Sequence, residues 1–307
     1  MRTTTTLLLA IVLLASCNQY EKTPSGVTYK ITKGGSNEKL KQGQYVKFNI
    51  EYKIPPKDTV INTSFGHIPA YMVLDTARAT KHSFLEVVTK CAVGDKVDFV
   101  LSVDSLKKLG QIEYNNMFHQ KDMIKGRVEI LKVFNSQIEA NADVQKEVDL
   151  ETQREIKTLK EYAAKLGVKT VSTPSGALVE VQNAGDAAKA DSGKEAKVMY
   201  RGAFISGKVF DSNMDKAGPN NQPLNVLIGV AGQGGVIKGM DEGLRMFGKG
   251  GKGKIFVPAM LAYGQQGQPP VMPAYSNLVF DIEVLDVDIP KPAAAQPQQA
   301  PVNPHKK

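Results

Sequence analysis

Glycine and proline cut the stretch between residues 197 and 288 into short β patterns, and this punctuation restricts the chain more than any other feature. Residues 197–202 and 207–210 flank a turn at Ile205-Ser206-Gly207. Residues 254–257 and 278–285 alternate or run apolar at strand spacing. One short helix is predicted between them, over 238–247, with Met240, Leu244 and Phe247 at i, i+4 and i+7. Short strands around one small helix make an α+β domain.

The same stretch gathers Tyr200, Phe210, Val236, Ile237, Met240, Tyr263 and Phe280, with a single acid, Asp211, beside Phe210. The four histidines, His67, His82, His119 and His305, all lie outside it. It has neither a Ser-His-Asp set nor metal-ligand spacing, so neither a metal nor a cofactor is expected. Aromatic walls with one carboxylate and two tyrosine hydroxyls are poor equipment for hydrolysis. They suit a reaction that needs no nucleophile.

Five short motifs follow one another here: Val198-Met199-Tyr200-Arg201-Gly202, Val209-Phe210-Asp211-Ser212, Gly235-Val236-Ile237-Lys238-Gly239, Leu261-Ala262-Tyr263-Gly264 and Leu278-Val279-Phe280-Asp281. Each alone is weak; in this order and register the stretch resembles an FKBP-type peptidyl-prolyl cis-trans isomerase. The resemblance implies that Tyr200, Phe210, Phe280 and the Val236-Ile237 pair line a prolyl pocket. Tyr263 would donate a hydrogen bond to a substrate carbonyl, as would the Ile237 backbone N–H, while Asp211 would hold a polar network with Tyr200. Leu224, Val236, Met240, Val271 and Met272 would add substrate contacts. Three positions depart from the family pattern. Met240 stands where the best-known members carry Trp, Leu224 where many carry Phe, and Met272 replaces a common Ile. A roomier pocket floor is expected, with altered affinity for compact macrolides, since Met is softer than Trp.

The chain of 307 residues has room for about two domains. Arg2, the apolar run of residues 7–14 and the site Leu14-Ala15-Ser16-Cys17 resemble a bacterial lipoprotein signal. This implies removal of residues 1–16, acylation of Cys17, and a tether over 17–25; the alternative is an ordinary secretory signal with an incidental cysteine. More than one lipid chain gives stable membrane anchoring. Cys91, the other cysteine, then has no intramolecular partner and reads as a small buried apolar residue. The net charge of +8 is spread without basic runs interleaved with aromatics, so nucleic acid is not an expected partner.

Residues 26–134 read as a degenerate copy of 171–288. Ser25-Gly26-Val27 echoes Ser175-Gly176-Ala177, and on the same alignment Ile50 replaces Tyr200, Ile61 replaces Phe210 and Asn62 replaces Asp211. Nothing near residues 102–110 matches Ala262-Tyr263-Gly264. Such a domain keeps the fold without the chemistry; its expected use is homodimerisation or substrate holding, and the plain alternative is a spacer. Between the copies, residues 135–170 lose their prolines and alternate charges, with Ser136 and Glu139 placed to cap a long helix and Gly167 to end it. The apolar stripe of this helix is interrupted near residues 151–155, against a continuous coiled coil. Residues 289–307, rich in Pro, Ala and Gln, read as a disordered tail.

The expected architecture is two FKBP-like α+β domains joined by a long helix. The expected function is a lipid-anchored, periplasm-facing prolyl isomerase of a bacterial envelope, on the outer membrane, acting on proline-containing extended polypeptides. The alternative, from another class, is a catalytically silent binding module for extended envelope proteins.

Overall fold

The computed structural model describes residues 20–290, apart from 57, 76, 78, 79, 216–220, 233 and 234. The signal segment, Cys17 and most of the Pro/Ala/Gln tail lie outside the described residues. The chain divides into two compact units between Glu147 and Val148.

The first unit contains β1 (Glu21–Lys22), β2 (Thr28–Thr32), β3 (Tyr45–Ile54), β4 (Thr59–Thr63), β5 (Ala70–Val73), α1 (Leu85–Val88), β6 (Lys96–Ser102), α2 (Val103–Lys108) and β7 (Met123–Phe134). The helix α3 (Gln137–Lys165) follows. The second unit contains β8 (Val171–Ser172), β9 (Leu178–Asn183), β10 (Glu195–Phe204), β11 (Val209–Ser212), β12 (Leu224–Leu227), α4 (Lys238–Leu244), β13 (Lys252–Val257) and β14 (Leu278–Asp288). Each unit is thus α+β: a seven-stranded antiparallel sheet with little helix. Side chains alternate between core and solvent along β6 and β14, as a half-buried strand requires.

Strand for strand, the two sheets share one topology. The first runs β1-β2-β6-β7-β3-β4 with β5 also on β3; the second runs β8-β9-β13-β14-β10-β11 with β12 also on β10. Even the irregularities recur. The register of β3 on β7 slips between Lys47 and Phe48, and that of β10 on β14 between Lys197 and Val198. A second slip, against β4 and β11, falls at Tyr52/Lys53 and at Gly202/Ala203. The repeat read from the sequence is therefore a repeat of structure.

Local chemistry explains one strand junction and one departure from the expected element bounds. A turn separates β8 from β9. Thr173 Oγ1 accepts the Ala177 N–H at 3.1 Å, and Gly176 takes φ +105. Thr23, Gly26 and Val27 repeat this turn in the first unit. The helix expected over 238–247 ends at Leu244. Met246 and Phe247 instead bond back to the carbonyls of Gly243 and Leu244, and Phe247 stays fully buried without the helix. Glycines let α4 lie directly on β13: a Cβ on Gly239 would stand 2.4 Å from Val257 Cγ1, and one on Gly243 2.7 Å from Ile255 Cγ2.

Helix α3 is capped as its sequence suggests. Ser136 Oγ accepts the Glu139 N–H at 3.2 Å, and Val168 N–H returns to the Ala163 carbonyl around Gly167. Its first half belongs to the first unit, where Lys47 pairs with Asp143 at 2.6 Å and with Glu147 at 2.7 Å. Its second half belongs to the second unit, where Leu159 and Ala163 bury against Leu178 of β9 and Phe256 of β13. The gap in the apolar stripe is not a solvated stretch: Glu151 is 3% and Glu155 5% exposed. Among the described residues no helix is long and apolar enough to cross a membrane.

Candidate functional site

Strand register assembles the core of the site. Gly202 of β10 lies opposite Phe280 on β14 and opposite Asp211 on β11. Tyr200, two residues back on β10, shares its face. A glycine at 202 is a steric requirement, since a Cβ there would fall 2.6 Å from Phe210 Cζ and 2.9 Å from Phe280 Cε1. In that space the Phe210 and Phe280 rings meet edge-on, with centroids 5.8 Å apart at 86°. Tyr200 lies 6.3 Å from Phe280, and Phe204 lies 5.2 Å from Phe210. Met240 from α4 and Met272 from the loop before β14 are buried beneath them, with Val236 and Ile237 packed against the same cluster. The result is an aromatic and aliphatic cluster with Tyr200 and Phe210 half-buried, a candidate binding cup.

Its polar groups are few. The Tyr200 hydroxyl donates to Asp211 Oδ2 at 2.5 Å. Burial, and then the bond to Asp211, push the Tyr200 hydroxyl above its usual range; burial and the Asp211 charge do the same at Tyr263. Both phenols therefore remain neutral O–H groups. Tyr263 is 37% exposed and follows a 3₁₀ turn over Ala259–Leu261. Ile237 is the N-cap of α4; its carbonyl accepts the Met240 and Asp241 N–H groups, while its own N–H lies outside the helical pattern. Among the described residues no group of His, Cys, Asp and Glu is placed to hold a metal ion.

Two of the apolar residues singled out from sequence stand apart from the buried cluster. Leu224 is 36% exposed on β12. Val271 is 59% exposed and lines a separate cleft with Phe204, Ile205, Lys208 and Tyr275. Sequence reasoning in turn missed three residues that build the site. Gly202 is one; its signal was an isolated glycine inside a strand pattern. Asn213 is another, 1% exposed. Its side chain accepts the Tyr200 N–H at 2.6 Å and donates to the Val198 and Gln222 carbonyls. Asp241 is 2% exposed; it accepts the Gly229 N–H and pairs with Arg245, tying the chain ahead of α4 to the helix. No local pattern announces a buried polar clamp of this kind.

At the equivalent place in the first unit there is no cup. Register puts Tyr52 where Gly202 stands and Gly126 where Phe280 stands. The room over Gly126 belongs to Phe99, whose Cζ would lie 2.0 Å from a Cβ added there. Tyr52 meets Phe99 edge-on at 5.7 Å, Phe84 lies 6.0 Å from Phe99, and Phe48 lies 5.3 Å from Phe84. Burial pushes the Tyr52 hydroxyl up to about 12. Helix α2 joins β6 to β7, the connection that carries Tyr263 between β13 and β14. Cys91 is fully buried in this core, where burial pushes its thiol up to about 12 and leaves it inert.

The family profile of FKBP-type peptidyl-prolyl cis-trans isomerases matches residues 186–285. The FKBP-type peptidyl-prolyl cis-trans isomerase FkpA of Escherichia coli K12 is 35% identical over 170 residues, covering 55% of this chain and 58% of the relative. The chain thus spans little more than half the length of that protein. A crystal structure of FkpA from Escherichia coli aligns at 31% identity over 50% of this chain and 68% of that one, with a TM-score of 0.37. A probable FKBP-type peptidyl-prolyl cis-trans isomerase of Haemophilus influenzae is 32% identical over 226 residues. That match takes in 68% of this chain and 88% of the relative, so the likeness reaches well beyond the five motifs, and the chain belongs to the FKBP-type peptidyl-prolyl cis-trans isomerase family.

Proposed function

We propose that the second unit isomerises Xaa-Pro peptide bonds in extended polypeptides. The observation that carries this reading is the edge-on packing of Phe210 and Phe280 over Gly202, beside Tyr200 and its bond to Asp211. Rotation about a peptide bond faces a barrier of ~18–20 kcal/mol because amide resonance is lost in the twisted state. Uncatalysed Xaa-Pro exchange takes about tens to hundreds of seconds, slow enough to limit folding. A site that binds the twisted form better than either planar form accelerates both directions. The apolar cup replaces water around the prolyl ring and amide, favouring the less polar twisted amide. Tyr263 donates its hydroxyl, and Ile237 its backbone N–H, to carbonyls beside the proline. Tyr200 and Asp211 fix each other through their hydrogen bond and keep that edge of the cup in place. The reaction needs no cofactor. Met240 and Met272 as floor residues adapt to ring substituents that a rigid aromatic floor would refuse.

The same reading places the protein in a bacterial envelope, held by acylated Cys17, with the first unit serving homodimerisation or substrate holding. Cys17→Ala is then expected to move the protein from the membrane fraction to the soluble one. Isomerisation is tested on the full chain with a prolyl peptide, by NMR exchange or protease coupling. Catalysis that falls away in Phe210→Ala supports the proposal. Absence of catalysis by the intact protein contradicts it and leaves a binding module.

A further inference from the structure

Glu155 is the most anomalous side chain in the second unit. It sits on α3, 5% exposed, in a strip of helix whose other buried members include Ile156, Leu159 and Ala163. One carboxyl oxygen, Oε2, accepts the backbone N–H of Met260 at 2.9 Å. The other, Oε1, is buried with no hydrogen-bond partner among the described residues. A buried carboxylate with one oxygen unsatisfied is costly, and such groups call for an explanation.

What it touches suggests one. Met260 is the middle residue of the 3₁₀ turn Ala259–Leu261, and Tyr263 follows two residues after that turn. The turn is otherwise pinned by the Ala259 N–H on Asn277 Oδ1 and by the Gly264 N–H on the Ala259 carbonyl, at 2.9 and 2.8 Å. Ala259 and Leu261 are buried, so the turn cannot shift without carrying Tyr263 with it. Glu155 is therefore a direct polar link between the helix and the segment that presents the Tyr263 hydroxyl.

We propose that Glu155 is a positioning residue for Tyr263, and that its protonation state sets how firmly the Tyr263 turn is held. This rests on the isomerase reading above.

The surroundings fix the direction. The charges acting on Glu155 are its helix neighbours Glu151, 3% exposed, and Arg154, which is paired to Glu151. The turn packed against it offers a backbone N–H and apolar side chains, and β9 and β13 offer Leu178 and Phe256. Tyr162, the remaining titratable group of this cluster, lies edge-on to Phe256. Burial and the Glu151 charge outweigh the Met260 bond and Arg154, and the carboxyl is pushed up to about 7. An unfolded chain ionises this group in the ordinary carboxylate range, well below that. Between the two values the folded state holds the extra proton, so the stability it contributes is complete in acid and is lost as pH rises through about 7. Above that pH a bare negative charge sits beside Glu151 under the turn, and the turn loosens.

The test is the pH profile of the full chain, read by NMR exchange on a prolyl peptide with no titratable group of its own. Wild type is expected to lose about two- to tenfold in kcat/KM between pH 6 and 8.5, the worth of one hydrogen bond to substrate. Glu155→Gln keeps the shape and the acceptor for Met260 but cannot ionise, and its profile is expected to be flat at the acid level of wild type. A profile for Glu155→Gln that tracks wild type overturns the proposal. Absence of exchange catalysis in both proteins at every pH overturns the isomerase reading instead. Should Glu155→Gln fail to fold, the wild-type Met260 amide shift decides: a titration centred near pH 7 supports the proposal, and a flat response overturns it.

Discussion

Tyr52 and Gly202 occupy the same place in two sheets of one topology, and they send the sheets to different ends. Where the strand carries glycine, Phe210 and Phe280 meet edge-on over it, with Phe210 and Tyr200 half-buried at the surface. Where it carries tyrosine, the partner strand carries glycine instead, and Phe99 swings over that glycine to fill the interior. The aromatic mass has not been lost from the first unit; it packs instead over Gly126, where Phe99 meets Tyr52 and Phe84. On the proposed reading, a catalytic fold loses its site by exchanging sizes across one strand pair as well as by losing functional groups. Close packing makes the exchange reciprocal, since neither an empty space nor an overlap is tolerated inside a domain.

The comparison breaks most readily at Phe210. Phe210→Ala removes one wall of the cup, and most of the isomerase activity is expected to go with it. Because the ring is only partly buried, the loss in stability is expected near the lower end for a phenylalanine, about 3 kcal/mol. A melting curve beside the activity assay separates the two effects.

Gly202→Ala asks whether the open strand position is what keeps the second unit active. The added methyl meets Phe210 and Phe280 and forces them apart. Overpacking of this kind costs about 1–3 kcal/mol, visible as a lower denaturant midpoint. A fall in activity of about tenfold is expected, since each 1.36 kcal/mol lost from transition-state binding is a factor of ten. Unchanged activity would show that the close approach of the rings is incidental.

A smaller effect is expected from Tyr263→Phe. The ring stays, so the melting temperature should not move. The lost hydroxyl is worth ~0.5–1.5 kcal/mol, which caps the loss at about tenfold in kcat/KM. If the variant unfolds while its folded fraction keeps full activity, Tyr263 is a structural tyrosine.

The smallest effect sharpens the comparison from the other side. Ile61→Phe combined with Asn62→Asp restores two functional side chains to the first unit. Assayed in a chain already carrying Phe210→Ala, the pair is expected to add no activity, because Tyr52 and Phe99 still occupy the interior.

The sequence made the second unit legible because its pocket residues fall in short motifs between glycines, and the strands between them alternate visibly. Tyr200, Phe210, Val236, Ile237, Met240, Met272 and Phe280 do come together in one cluster or packed against it. The repeat was legible from Ile50, Ile61 and Asn62, which share the register of their counterparts. Hidden from it was whatever depends on pairing across strands. The exchange of Tyr52 and Gly126 for Gly202 and Phe280 appears only once β3 is laid on β7 and β10 on β14. Asn213 gave no signal because a clamp on the backbone of Tyr200 has no periodicity. Glu151 and Glu155 read as a break in the apolar stripe because charge usually marks a wet face; here the helix turns those carboxylates inward.

The division of labour between the sheets is tested most directly by titrating the full-length protein with a prolyl peptide and following backbone and methyl NMR shifts. The account predicts perturbations centred on Tyr200, Phe210, Asp211, Ile237, Met240, Tyr263 and Phe280. Around Tyr52, Phe99 and Gly126 the spectrum should stay still. Equal perturbation of both sets would contradict it, for it would mean that the filled core of the first unit opens to a proline as readily as the cup of the second.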